Sequence, residues 1–218
     1  MHKPAGMSTY LTRLYSSKTW RIAELLIFFI LIPLITKWFI TGYYIIIPLM
    51  GTAILFFALL WRDKSFDNKR FYRLSPYPWL PALLRLLLVS GLMILFAYYF
   101  YPDLLFRYPV ENTQNYLLTF LLYPFLSVIP QELVYRCYFF HRYQKLIPQK
   151  WLLAMANALL FGFLHIIYNN WLAPIAAFLV SWVFIYNYLK TKSLVNVCIE
   201  HYCYGVALFT IGLGKFFK

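Results

Sequence analysis

Acidic residues are scarce in this chain. Asp and Glu number 7 in 218 residues, against 20 Lys and Arg, for a formal net charge of +13. Charge of either sign makes up 12% of the residues, about half the ~25% of an average soluble domain. A water-soluble surface of this size cannot be built from so few charges. Cysteine is equally sparse, with three residues, which excludes a disulfide-stapled secreted scaffold. Glycine is low at eight residues, and no low-complexity tract or internal repeat is present. What is abundant is apolar. Hydrophobic residues reach 62% and aromatics 22%, and mean hydropathy is +0.64. That balance excludes disorder. It leaves an all-α polytopic transmembrane helix bundle whose first partner is the lipid bilayer.

A span needs about 20 mostly apolar residues. Seven such runs are legible, over 22–40, 43–61, 81–101, 116–140, 151–168, 171–189 and 194–213. The first holds Pro33 and Lys37, and the fourth is long and carries Pro124 and Pro130. Helix breaks at membrane depth survive where protein or a wet cavity satisfies the freed backbone groups, which marks the fourth span as unusual. Basic residues fall between the spans with a strong bias. Residues 1–21, 62–80, 136–150 and 190–193 together hold fifteen, whereas the opposite side holds Lys37, Arg107, Lys215 and Lys218. By the positive-inside rule the N-terminus is cytoplasmic and the C-terminus external. The basic excess thus sets orientation, and nucleic-acid binding is not expected. His2 falls in the N-terminal tail. No small-residue cleavage site follows the first span, which reads as an uncleaved anchor. The Pro-rich 62–80 loop suggests a division into residues 1–80 (tail, two spans and basic loop) and a core over 81–218.

Ionisable groups at membrane depth are costly, so each is a functional candidate. Glu132 and Glu200 fall well within core spans, while Glu24, Asp63, Asp67, Asp103 and Glu111 lie in loops or near span ends. Glu132 and Arg136 are spaced i, i+4 and share a helix face. The bland reading is an intrahelical ion pair. His165 lies one turn after Phe161 and one turn before Asn169, and His201 directly follows Glu200. His141, beside Arg142, reads as an interfacial headgroup contact rather than a catalyst. Glu132, His165 and His201 have the count of a His₂Glu zinc site, yet no His-Glu-x-x-His motif is present, so no metal or other cofactor is expected. Cys137, Cys198 and Cys203 lack a Cys-x-x-Cys spacing and read as packing residues.

Three features occur in order on three separate spans. They are a Glu-x-x-x-Arg helix turn (Glu132, Arg136), a Phe-x-x-x-His turn (Phe161, His165) and a final histidine (His201). Together they resemble the CPBP family of intramembrane proteases, which includes type II CAAX prenyl proteases and Abi immunity proteins. The resemblance covers residues 116–213. It implies that 81–218 is a protease core, and that a glutamate activates water to hydrolyse a peptide bond of a membrane-associated protein or peptide. Glu132, His165 and His201 would be catalytic, with Arg136, Gln131, Asn169 and Glu200 in support. Two positions depart from the pattern. Gln131 stands where the family has the first of two glutamates, and Gly205 stands where it has Asn or Asp. These departures leave open an inactive relative serving as a membrane immunity or interaction protein. A third reading, a proton-relaying transporter, would favour an inverted repeat, which is absent. The resemblance places the protein in a bacterial inner membrane. On this reading Glu132→Gln abolishes cleavage and leaves folding nearly intact.

Overall fold

The computed structural model describes residues 17–217. His2, Lys3, Arg13 and Lys218, which entered the charge and tail readings, lie outside the described residues. Seven helices are long and apolar enough to cross a membrane: α1 (Lys18–Phe39), α2 (Gly42–Arg62), α3 (Trp79–Phe100), α4 (Thr113–Tyr143), α5 (Lys150–Tyr168), α6 (Leu172–Thr191) and α7 (Leu194–Ile211). Among the described residues there is no strand. The seven runs legible in the sequence are these seven helices, with ends shifted by a few residues.

Local chemistry sets the ends. Ser17 caps α1 by accepting from Trp20 N–H at 3.1 Å, and Ser193 caps α7 by accepting from Asn196 N–H at 3.1 Å. These bonds satisfy donors that have no partner within the first turn. Gly212, at φ +106°, ends α7, a conformation open to glycine at little cost.

Cross-links sort the connections into two ends. At one end the 62–80 loop is tied to the α6–α7 turn: Arg73 donates to the carbonyls of Thr191 and Lys192, and Asn196 bonds both N–H and C=O of Ser75. His141 meets Asp63 at 2.8 Å at this end too. At the other end Phe106 N–H donates to Ile211 C=O, and Asn170 donates to Phe216 C=O. The first end holds the basic loops and the second is poor in Lys and Arg.

The core runs through α4. Phe56 of α2 stacks on Tyr138 at 3.6 Å, and Phe29 of α1 meets Tyr135, Phe139 and Tyr143 edge-on. Glu24 adds a buried polar anchor, accepting from Tyr138, Tyr143 and both Nε and Nη2 of Arg142 at 2.8–3.0 Å. Near the start of α1, as read from the sequence, Glu24 fastens that span to the end of α4. His141 is paired with Asp63 at the end of α2. The Asp63 carboxyl would be raised by its partial burial, but bonds from His141 and Ser65 outweigh this and bring it down to about 2.

Candidate functional site

α4 is where backbone chemistry departs most from a regular helix. Pro124 and Pro130 lack the N–H that would close an i to i−4 bond. The helix widens into π turns at Pro124–Val128 and Leu133–Tyr138, flanking the short regular segment Ile129–Glu132. Wide turns of this kind recur at functional sites. Here they present two neighbouring residues differently. Gln131 lines a large cavity, whereas Glu132 is fully buried behind the cavity wall.

Glu132 is engaged on both oxygens. Oε1 accepts from His201 Nδ1 at 2.8 Å, and Oε2 lies 3.1 Å from Arg136 Nε. Arg136 is fully buried as well. It donates to Asn157 Oδ1 and, at 3.1 Å, to Ser181 Oγ, and its guanidinium sits 4.8 Å from the Phe161 ring centroid. Asn157 in turn donates to Tyr135 C=O at 2.7 Å. Two charges taken out of water are tolerable only when both are paired and their other hydrogen-bonding groups are met. Here the two charges are paired, and both Nη atoms of Arg136 and Oε1 of Glu132 have hydrogen-bond partners from α5, α6 and α7, while Oε2 and Nε face each other as an ion pair without hydrogen-bond geometry.

His201 is held on every side. Nδ1 faces Glu132, Nε2 lies 3.1 Å from the Tyr123 hydroxyl, and the ring stacks on Phe184 at 4.5 Å. With a carboxylate at Nδ1, the neutral ring keeps its proton there and turns the Nε2 lone pair toward Tyr123. His165 is oriented differently. Its Nδ1 donates to Phe161 C=O at 2.8 Å, which leaves Nε2 as the free basic edge. Both histidines line the cavity, as do Tyr123, Ser127 and Gln131. Gln131 Nε2 donates to Ser127 at 2.8 Å, and its Oε1 is buried without a protein partner.

Glu132, Arg136 and His201 therefore form one contact network, joined to His165 through the Phe161 ring, whose centroid lies 5.0 Å from His165 and 6.0 Å from His201. Gln131 is on the cavity floor. Asn169 is not in line with His165. α5 tightens into a 3-10 turn at His165–Tyr168, and Asn169 ends it at φ 54°, so the residue is exposed at the cavity rim. Glu200 points elsewhere, because neighbours on a helix are about 100° apart. It is bound by Arg85 and Tyr77 at 2.9 Å and Asn187 at 2.7 Å, and it ties the loop end of α3 to α6 and α7. Among the described residues no three His, Cys, Asp or Glu side chains converge as metal ligands. The three cysteines are free.

Sequence reasoning missed four contributors. Asn157 and Ser181 carried a weak signal as polar residues in apolar helices. Phe184 and Tyr123 carried none, among 21 phenylalanines and 20 tyrosines. Tyr123 also explains Gly205. A Cβ built on Gly205 would lie 2.3–2.5 Å from Tyr123 ring and hydroxyl atoms, so only glycine leaves room for the tyrosine that reaches His201.

The cavity has a volume of about 1520 Å³, above the ~300–1,000 Å³ of drug-sized ligand sites. Lys37 is the one charged side chain among its described lining residues. Such a space accepts an apolar, extended chain, with polar groups confined to the floor. Residues 112–207, just under half of the chain, match the sequence model of the family described as Type II CAAX prenyl endopeptidase Rce1-like. No curated protein and no solved structure matches the chain. The matched segment contains Gln131, Glu132, Arg136, His165 and His201, and through it this multi-pass membrane protein is similar to the type II CAAX prenyl endopeptidases.

Proposed function

We propose that the protein is an intramembrane endopeptidase that hydrolyses a peptide bond of a membrane-associated chain inside the cavity. The observation carrying this reading is the arrangement of the floor: two imidazole edges face the cavity, and a buried carboxylate–arginine pair fixes one of them. The His165 Nε2 edge takes a proton from water, and the hydroxide attacks the peptide carbonyl. Gln131, which lines the cavity, turns its buried and unpartnered Oε1 to accept the water's other hydrogen. The Tyr123 hydroxyl, whose one O–H points to His201 Nε2 in the resting site, turns it to the oxyanion as charge develops there. Collapse breaks the C–N bond, and His165 returns its proton to the leaving amine. Glu132 is sealed from the cavity, so its part runs through His201, whose tautomer and orientation it sets, and not through direct contact with water. No metal takes part. Residues 81–218 supply the reacting groups, and α1 and α2 within 1–80 supply one cavity wall. The N-terminus is cytoplasmic, in keeping with the basic loops.

Gln131 supports a second reading. It is not basic at neutral pH, and a floor lacking a carboxylate there suits an inactive relative acting as an immunity or interaction protein. Mass spectrometry of new N-termini in membranes expressing the wild type, His165→Ala, His201→Ala or Gln131→Glu separates the two. Cuts present in the wild type and lost in both histidine variants support the peptidase. Cuts that arise only with Gln131→Glu establish the inactive relative.

A further inference from the structure

The cavity has a sidedness that follows from two separate observations. Its floor is at Gln131 and His201, and its walls rise from there toward one end of the bundle only. Lys37, Thr41, Tyr43, Asn112, Asn169 and Phe217 line its outer part. These residues belong to the α1–α2 turn, the segment before α4, the α5–α6 turn and the segment after α7. No residue of 62–80, 144–150 or 190–195 lines it. Those connections are instead closed over the opposite end by the Arg73, Asn196 and Asp63–His141 contacts.

The closed end is the basic one. Arg62, Lys64, Lys69, Arg70, Lys145, Lys150, Lys190 and Lys192 sit there, whereas Lys37, Arg107 and Lys215 are the basic residues of the open end among the described positions. The bias of Lys and Arg in short loops places the closed end in the cytoplasm. A floor built at Gln131 and His201 is then shut off from the cytoplasm by packed aromatic side chains, Tyr135, Phe139 and Tyr188 among them, all of them buried.

We infer that the site is reached from the extracytoplasmic side, so that its substrate is an apolar peptide segment already translocated or anchored from the outer leaflet, and not a cytosolic chain end. The inference rests on the peptidase reading for the word substrate, but the direction of access does not. The rim suits such a chain. Asn112, Asn115 and Asn169 offer amide groups that match a peptide backbone, no described lining residue is acidic, and the walls below are apolar.

Access is testable without any substrate. In a background with Cys137, Cys198 and Cys203 replaced by Ala, single cysteines are placed at Asn115 on the wall, at Ser127 beside the floor, and at Lys64 in the basic loop. Intact cells are treated with a membrane-impermeant sulfonated maleimide. Asn115→Cys and Ser127→Cys are expected to label in intact cells, and Lys64→Cys only after permeabilisation. The reverse pattern, with Ser127→Cys or Asn115→Cys labelled only after permeabilisation, overturns the inference. Reporter fusions in the wild-type chain at residues 106 and 148 give an independent reading should the cysteine-free background fold poorly. An external reporter at 148 overturns the inference equally. External labelling with no new N-termini overturns the peptidase reading and leaves the direction of access standing.

Discussion

Gly205 and Tyr123 form a lock whose energy can be worked from geometry. Replacing Gly205 with Ala adds a single methyl group to α7. In an unobstructed helix that change is stabilising by about 1 kcal/mol, because glycine loses more backbone entropy on folding. Here the methyl would lie 2.3 Å from the Tyr123 ring edge and 2.4 Å from its hydroxyl oxygen. Forced overpacking of this kind costs about 1–3 kcal/mol. Moving the ring also breaks the bond to His201 Nε2, and hydrogen bonds between membrane helices average about 0.6 kcal/mol. The balance is a loss of roughly 1–3 kcal/mol in the wild-type background. With Tyr123→Ala in place, the obstruction is gone and Gly205→Ala becomes neutral or stabilising by up to about 1 kcal/mol. A four-member cycle in detergent micelles, read by reversible denaturation, measures the coupling directly. A coupling of about 1 kcal/mol or more, with Gly205→Ala changing sign between backgrounds, is the expected result. Additive effects within about 0.5 kcal/mol would show that Tyr123 does not occupy the space beside Gly205.

Other outcomes follow from the same contacts. Glu132→Gln leaves the fully buried Arg136 without its carboxylate. It should cost about 3–5 kcal/mol, lowering the yield of folded protein as well as any cleavage, and the milder expectation drawn from sequence is revised accordingly. Equal stability of the variant and wild type refutes this. Tyr123→Phe keeps the ring but removes the hydroxyl. It should lower kcat far more than it lowers stability, as measured on any peptide identified from the new N-termini, and an unchanged kcat removes Tyr123 from the reaction. Asp63 is held at about 2, below its ordinary 3.8. A carboxyl lowered in the folded state stabilises above its unfolded value and loses that contribution as pH falls from near 4 toward 2. Thermal-shift curves should show such a step that is absent in Asp63→Asn; its persistence there assigns it to another group. The step will be small, because Asp63 is partly exposed and exposed ion pairs are weak. Protein purified without chelators should carry well below one zinc per chain, and a stoichiometric zinc lost together with activity reverses the metal-free mechanism.

The number of spans, their limits and their class were written in the sequence itself. A bilayer acts on every 20-residue window separately, so local hydropathy is enough to place a helix. The orientation proposed above rests on the same kind of local signal, Lys and Arg in short loops. The pairing of Glu132 with Arg136 was legible because a single helix turn fixes it, and Phe161 with His165 for the same reason. Contacts between helices were not. Whether Glu132 or its neighbour Gln131 meets the cavity depends on two π turns and on how α4 is rotated against α7. Glu200 and His201 are adjacent in sequence yet serve separate networks, because one helix step turns a side chain by about 100°. Asn169 left the line of His165 once α5 tightened into its last turn. The partners of Arg136 come from α5 and α6, and Tyr123 reaches His201 across 78 residues of chain. No local pattern encodes such meetings. They are settled by close packing of apolar faces, in which a missing Cβ at Gly205 decides where a ring can lie and so which group stands beside the histidine.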